Sequence, residues 1–188
     1  MELRPTPSQT VGPFFHVAYP RMGTTELIPR DDPEAIVISG TVFDGEGERA
    51  TDALVEFWQA NRAGRYAHPE DDRGDLPLER DFDGFGRNAT DQGGRFEFVT
   101  VKPGRVPWPG GGMQAPHIVV ALFARGLLKQ VVTRIYFPDE AEANEADPVL
   151  SSIEDPRARG SLVARSDDGG LFFDIYLQGE NETVFFDV

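Results

Sequence analysis

The sequence predicts an all-β protein: an antiparallel β-sandwich with an extended N-terminal arm, long loops and little helix. Short apolar runs rich in β-branched and aromatic residues recur along the chain, and turns that contain glycine separate them. Helical periodicity is scarce. Six prolines fall within residues 1–33, and because proline lacks an N–H and restricts the residue before it, these residues are predicted to be extended. We therefore expect an arm over residues 1–33 and the sandwich domain over 34–188.

The predicted strands lie at 35–43, 54–59, 95–101, 118–123, 131–137, 172–177 and 183–186. The run at 118–123 is continuously apolar, which is typical of a strand buried on both faces. In 172–177, alternation places Phe173, Ile175 and Leu177 on one face. The best helix candidate is 139–146, with acidic residues in its first turn and Pro148 just beyond it. The long polar stretch 61–94 indicates a functional or interface loop.

Composition excludes several classes of function. The formal net charge is −14, so the field repels nucleic acids and anionic membranes, and an anionic substrate would need a local cation. The 188 residues include no cysteine, which excludes disulfides, thiolate metal sites and cysteine nucleophiles. The N-terminus has no apolar segment of the signal-peptide kind, and we predict a cytoplasmic protein.

Few side chains could carry chemistry. Of the three histidines, His117 begins the most apolar strand, where a metal ligand is conceivable, although the residues alone favour a hydrogen-bonded core histidine. Tyr66 lies in the polar stretch, where a tyrosine usually serves packing or an interface. The acidic runs 31–32 and 70–72 are interpreted as solvated surface.

Several motifs together resemble one family. They are VEFWQAN at 55–61, GRY at 64–66, GR at 86–87 with TD at 90–91, VKPG at 101–104 and APHI at 115–118. The chain resembles the intradiol ring-cleaving dioxygenases on these motifs. TPSQTVGPF at 6–14, LFARG at 122–126 and QGENETVFFD at 178–187 resemble more specifically the alpha-type chains of two-chain members. The resemblance spans nearly the whole sequence.

The resemblance implies a non-haem ferric iron that two tyrosines and two histidines hold in the beta-type chain of such enzymes. Here Tyr66 matches the first tyrosine and His117 the first histidine. Val106 and Val119 occupy the other two ligand positions, and Gln114 stands where the family has a catalytic arginine. Residues i and i+2 of a strand point to one side, so a His-x-His pair could share an ion, but Val119 offers only carbon. The resemblance thus implies that Tyr66 and His117 are relics and that a partner chain holds the iron.

The resemblance also implies an active site shared between an alpha-type and a beta-type chain. Residues Thr10, Gly12, Pro13 and Phe14 of the arm, with Arg125, would line it. Arg125 would bind the carboxylate of the dihydroxybenzoate substrate, protocatechuate, which the enzyme opens with oxygen to 3-carboxy-cis,cis-muconate. The residues alone favour a surface or interface arginine at this position, and simple packing for Pro13 and Phe14. A self-sufficient homo-oligomeric enzyme and a stand-alone β-sandwich binding module remain alternatives.

Overall fold

The structure is a computed structural model that describes residues 10, 12, 24–167 and 170–187. Its strands are, in chain order, β1 (Ile36–Phe43), β2 (Leu54–Trp58), β3 (Phe85–Ala89), β4 (Arg95–Thr100), β5 (Val106–Pro107), β6 (Met113–Gln114), β7 (His117–Phe123), β8 (Val131–Tyr136), β9 (Arg165–Asp167), β10 (Gly170–Phe172) and β11 (Ile175–Tyr176). Its helices among these residues are α1 (Ala141–Glu145), α2 (Pro148–Ser151) and α3 (Pro156–Ser161).

These strands form two main sheets and a small hairpin. The first sheet joins β1, β4, β9, β10 and β11, with β1 antiparallel to β4 and parallel to β10 and β11. The second sheet has the order β3-β2-β7-β8 and is antiparallel throughout. Strands β5 and β6 form the separate hairpin. The predicted all-β sandwich with little helix is confirmed.

The core lies between the two main sheets. Phe57 from β2 packs edge-to-face on Phe96 from β4, with ring centroids 6.0 Å apart. The inward residues of β7, namely Ile118, Val120 and Leu122, are fully buried. The apolar area that these side chains remove from water is the main term stabilising the sandwich.

Strand β7 corrects the expectation of burial on both faces. Its outward residues Val119, Ala121 and Phe123 are only half-buried, so burial alternates along the strand. One face packs on the first sheet, whereas the other is only partly covered by described residues. A continuous apolar run therefore did not distinguish a fully enclosed strand from one with a half-covered face.

The C-terminal strand predictions are correct about which residues are buried but wrong about the strands being continuous. Phe173 and Ile175 are buried as predicted, but the run divides into β10 and β11. At the interruption the carboxylate of Asp174 accepts a hydrogen bond from the Thr41 N–H at 3.0 Å, so a side chain replaces the backbone acceptor. The predicted strand at 183–186 is reduced to a single bridge between Phe186 and Val132.

The helical region contains an element that the sequence prediction missed. Helix α1 lies within the predicted 139–146, but Pro148 does not merely end it, because α2 begins there. Asp147 caps α2 by accepting hydrogen bonds from Val149 N and Leu150 N, both 2.9 Å long. Proline in the first turn after an aspartate cap is a helix-start pattern.

Part of the predicted arm runs beside the sandwich. Leu27 N donates to Val99 O and Val99 N donates to Thr25 O, each at 2.8 Å. The side chain of Leu27 is buried in the main core. The boundary between an arm over 1–33 and a domain over 34–188 stays a prediction.

Candidate functional site

A cavity of about 530 Å³ brings together three of the positions that the sequence singled out. Its walls and rim are formed by Trp58, Tyr66, His68, Glu70, Asp71, Asp72, Arg73, Val106, Pro107 and Gln114. Val106 and Gln114 face each other across the β5–β6 hairpin. Tyr66 stacks on Trp58 with ring centroids 5.8 Å apart and planes 6° from parallel.

Two loops that touch backbone to backbone position Tyr66 and Val106. The side-chain oxygen of Asn61 accepts from Ala63 N and Arg65 N, both at 3.0 Å, which closes the loop before Tyr66. Gly64 lies in this loop with φ +80°, and a Cβ there would meet the carbonyl oxygen of Arg105 at 2.2 Å. Only glycine combines this left-handed backbone with so close an approach.

The ion pair between Asp71 and Arg73 fixes the other side of the Tyr66 loop. Arg73 Nε donates to Asp71 Oδ1 at 2.7 Å, and Asp71 Oδ2 accepts from Tyr66 N at 2.8 Å. The hydrogen bonds from Arg73 hold the pKa of Asp71 down to about 2. The side chain of Asp71 is only 7% exposed, so the middle of the acidic run 70–72 is a paired structural group rather than solvated surface.

Arg134 lies among the matched positions, where the sequence analysis placed no cation. It faces Val119 across the β7–β8 pairing. Its Nη1 donates to Gln114 Oε1 at 2.7 Å and to the Tyr136 hydroxyl at 3.3 Å, and the guanidinium lies 5.8 Å from the ring centroid of Phe186. Arg134 thereby places a permanent positive charge at this end of the sheet.

His117 is buried and neutral. Its Nδ1 lies 2.8 Å from the Ala115 carbonyl oxygen, which can only accept, so Nδ1 carries the hydrogen. Burial, with the nearby charge of Arg134, lowers the pKa of His117 to about 4. The ring packs against Tyr136 with centroids 5.7 Å apart. The residue is thus held as a hydrogen-bonded core histidine, the interpretation that the residues alone favoured.

Tyr66 is held as a neutral phenol. Burial raises its pKa above the ordinary value, although the charges of Arg134 and Arg73 partly oppose this.

The donor set of this chain does not fit a ferric ion. Val106 and Val119 present carbon at two of the four matched positions, and Arg134 supplies a cation beside the remaining two. No group of three or more histidine, aspartate or glutamate side chains suited to a metal occurs among the described residues. The interpretation of Tyr66 and His117 as relics stays a prediction.

Arg125 lies at the opposite end of β7. From His117 to Phe123 the strand makes six steps of about 3.3 Å, or roughly 20 Å, and Arg125 follows two residues later. Its side chain is 77% exposed and forms an ion pair with Asp52. Arg125 therefore cannot serve the cavity around Tyr66 in the same chain.

The structure describes two of the four predicted substrate-binding residues of the arm. Thr10 and Gly12 are exposed, and nothing lies within 4 Å of a Cβ placed on Gly12. Pro13 and Phe14 lie outside the described residues. No described contact joins the arm residues to Arg125, and the substrate-binding role of this set stays a prediction.

Sequence reasoning missed three residues at these two ends. Asp147 is fully buried and accepts from Ala115 N at 2.7 Å, which anchors the segment that leads into His117. The pattern Asp-Pro before an apolar pair could have revealed it as a helix cap. Arg134 and Asp52 gave no local signal, because strand pairing brings each of them to its site.

Comparison with known proteins identifies the class. A family model described as Dioxygenase (Dioxygenase_C) matches residues 11–179, and the chain belongs to this family. The protocatechuate 3,4-dioxygenase alpha chain of Pseudomonas putida is 43% identical over 204 residues, covering 100% of this chain and 98% of that protein. The beta chain of Burkholderia cepacia protocatechuate 3,4-dioxygenase is 35% identical, covering 94% of this chain and 77% of that protein.

A solved structure supports the same fold. The dioxygenase domain of a dioxygenase carbohydrate-binding protein fusion from Streptomyces sp. SirexAA-E superposes with a TM-score of 0.59 at 30% identity, covering 93% of this chain and 99% of that one. Among the described residues, no helix has the length and apolar character needed to cross a membrane.

Proposed function

We propose that this chain is the alpha-type subunit of a protocatechuate 3,4-dioxygenase. Together with a beta-type chain it would form the active site for intradiol cleavage of protocatechuate by molecular oxygen to 3-carboxy-cis,cis-muconate. The full-length similarity to the alpha chain of Pseudomonas putida supports this proposal. The weaker similarity to a beta chain is consistent with two related chains that have diverged in role.

The observation that carries the proposal is the separation of two features along β7. Near its start, Val106 and Val119 present carbon at two of the ligand positions that the resemblance implies, and His117 is buried and neutral. The exposed Arg125 lies beyond its end, roughly 20 Å away. A substrate that Arg125 binds therefore reacts at a site in another chain.

The ferric iron of the family, in this proposal, belongs to the beta-type partner. When bound there, it supplies the chemistry of oxygen activation and ring opening. The residues of this chain bind and orient the substrate. The family's catalytic arginine position is Gln114 here, and its side chain is engaged with Arg134 and the Pro107 carbonyl, so it is not available to stabilise charge on a substrate.

Arg125 supplies the local cation that an acidic chain needs for an anionic substrate. A guanidinium can donate two parallel hydrogen bonds to a carboxylate, and a charged hydrogen bond contributes about 1.5 to 3 kcal/mol. Thr10, Gly12, Pro13 and Phe14 would form the adjoining wall and exclude water from the reacting ring. The side chain of Arg125 is 77% exposed in the single chain, which leaves it accessible to a partner.

Two other functions fit less well. A self-sufficient homo-oligomeric enzyme would need four iron ligands in each chain, and Val106 and Val119 do not provide them. A stand-alone binding module would not need the full-length similarity to an alpha chain. Cytoplasmic location and the absence of nucleic-acid and membrane partners stay predictions from composition.

Co-expression with a beta-type chain tests the proposal. We expect the two chains to co-purify and to consume oxygen on protocatechuate, whereas this chain purified alone consumes none. Oxygen uptake by the chain alone would support the self-sufficient enzyme. Failure to co-purify, with no uptake from the mixture, would support a stand-alone module.

A further inference from the structure

Strand pairing places an acidic side chain directly against Arg125. Strands β2 and β7 are antiparallel, with Leu54 opposite Phe123. Two residues before Leu54 and two residues after Phe123, the same register brings Asp52 opposite Arg125. Asp52 Oδ2 contacts Nε of Arg125 in an ion pair. The contact follows from the register of the two strands, so the fold itself supplies this neighbour.

The two members of this pair differ in exposure. The side chain of Asp52 is 23% exposed and that of Arg125 is 77% exposed. The carboxylate is therefore held back against the sheet while the guanidinium projects outward. Ion pairs this exposed contribute little to stability, so stabilising the fold does not account for the arrangement.

The guanidinium of Arg125 has more hydrogen-bond donors than one carboxylate contact at Nε uses. An arginine has one hydrogen on Nε and two on each terminal Nη. The ion pair is recorded at Nε, and the four hydrogens on the terminal groups can meet a second carboxylate. A flexible side chain loses rotamer freedom when it binds a ligand, and holding it beforehand reduces that loss.

We propose that Asp52 is a positioning residue that orients Arg125 toward the carboxylate of the substrate in the partner chain's site. This inference rests on the proposed function, because it needs Arg125 to bind substrate. Asp52 also opposes the substrate's negative charge, but it does so from the Nε side, with the positive guanidinium between the two carboxylates. The ordering of the guanidinium outweighs this repulsion.

The chain contains a closely matched control pair. Arg165 and Asp174 form an ion pair with side chains 72% and 25% exposed, nearly the same as the pair at Arg125. This contact belongs to the other sheet and is made through Nη2, at 2.6 Å. Asp174→Asn keeps an oxygen for the Thr41 N–H, so it removes an exposed charge pair with little change in the backbone.

The test uses the co-purified complex with a beta-type chain. Four forms of this chain, namely Asp52→Asn, Arg125→Ala, the double variant and Asp174→Asn, are compared with the unaltered chain on protocatechuate and on uncharged catechol. We expect Asp52→Asn to raise KM for protocatechuate about 3- to 10-fold, with kcat and both catechol constants unchanged. In the Arg125→Ala background, Asp52→Asn should have no further effect, and Asp174→Asn should match the unaltered chain.

The outcomes separate this inference from the proposed function. If Arg125→Ala leaves the protocatechuate KM unchanged, the role of Arg125 fails and the inference falls with it. If Arg125→Ala raises that KM but Asp52→Asn leaves it unchanged or lowers it, only the positioning role of Asp52 is wrong. An equal rise for catechol, or an effect of Asp52→Asn that persists without Arg125, would show a general structural defect and would also overturn the inference.

Discussion

The two ends of strand β7 differ in burial and in charge. At its start, His117 is buried, neutral and hydrogen-bonded, and Arg134 lies beside it. Just beyond its end, Arg125 is exposed and forms an ion pair with Asp52. The difference teaches that one strand can carry a side chain fixed by burial at one end and an exposed charge at the other, and the proposed function assigns only the exposed end to a partner.

The tightest packing at the cavity end predicts the largest effect. Gly64→Ala should destabilise the chain by about 3 kcal/mol, since φ there is +80° and the new Cβ would meet the Arg105 carbonyl oxygen. Gly111→Ala is the control, because φ is +92° but nothing lies within 4 Å of the new Cβ. Urea unfolding of both variants measures the difference. If both variants lost the same free energy of unfolding, the close approach of Gly64 to the Arg105 carbonyl would not contribute to stability.

The burial of His117 predicts a pH dependence of similar size. Its pKa is about 4 in the folded chain and near 6.5 when unfolded, so the unfolded chain binds more protons between these values. The free energy of unfolding should have its full value above about pH 6.5. It should fall by about 3 kcal/mol in total as the pH drops toward 4. Urea unfolding across this range, compared with His117→Gln, isolates the contribution. The same slope in both chains would contradict the buried neutral state.

Removing the cation at the cavity end should have a smaller effect. Arg134→Met leaves the buried Gln114 without its hydrogen-bond donor at Oε1, and we expect a loss of about 1 to 3 kcal/mol. The pKa of His117 should rise, because the charge of Arg134 now lowers it. Urea unfolding and an NMR titration of the histidine measure these effects. Arg165→Met is the control, and a similar loss there would remove the distinction between the two arginines.

The far end of the strand should be the least sensitive in stability. Arg125→Ala should change the free energy of unfolding by less than about 1 kcal/mol, because the ion pair that it removes among the described residues is exposed. Urea unfolding checks this value against Arg134→Met. A loss at Arg125 as large as that at Arg134 would mean that both ends of β7 are primarily structural, and the comparison between them would fail.

Much of the fold could be predicted because the strands carry their own local patterns. The runs that became β1, β2, β4, β7 and β8 were located within one or two residues, since each is rich in β-branched or aromatic residues. The break between β10 and β11 could not be predicted, because it depends on Asp174 meeting Thr41 across the sheet. Local alternation carries no information about such a partner.

The candidate site could be predicted only in part. The family resemblance implies that positions 106 and 119 are ligand positions, and the sequence has valine at both. Arg134 and Asp52 were missed, because each acquires its neighbour through the pairing of separate strands. Their partners are distant in sequence, so only the register of the folded sheets reveals them.

The iron content of the assembled complex tests the central claim most directly. The measurement is the number of ferric ions per alpha–beta pair, with the visible tyrosinate-to-iron absorption, for the unaltered complex and for one in which this chain carries Tyr66→Phe. We predict about one iron per pair and the same count and absorption in both complexes. A count near two, or loss of iron or colour with Tyr66→Phe, would show that this chain holds a metal of its own and would contradict the account.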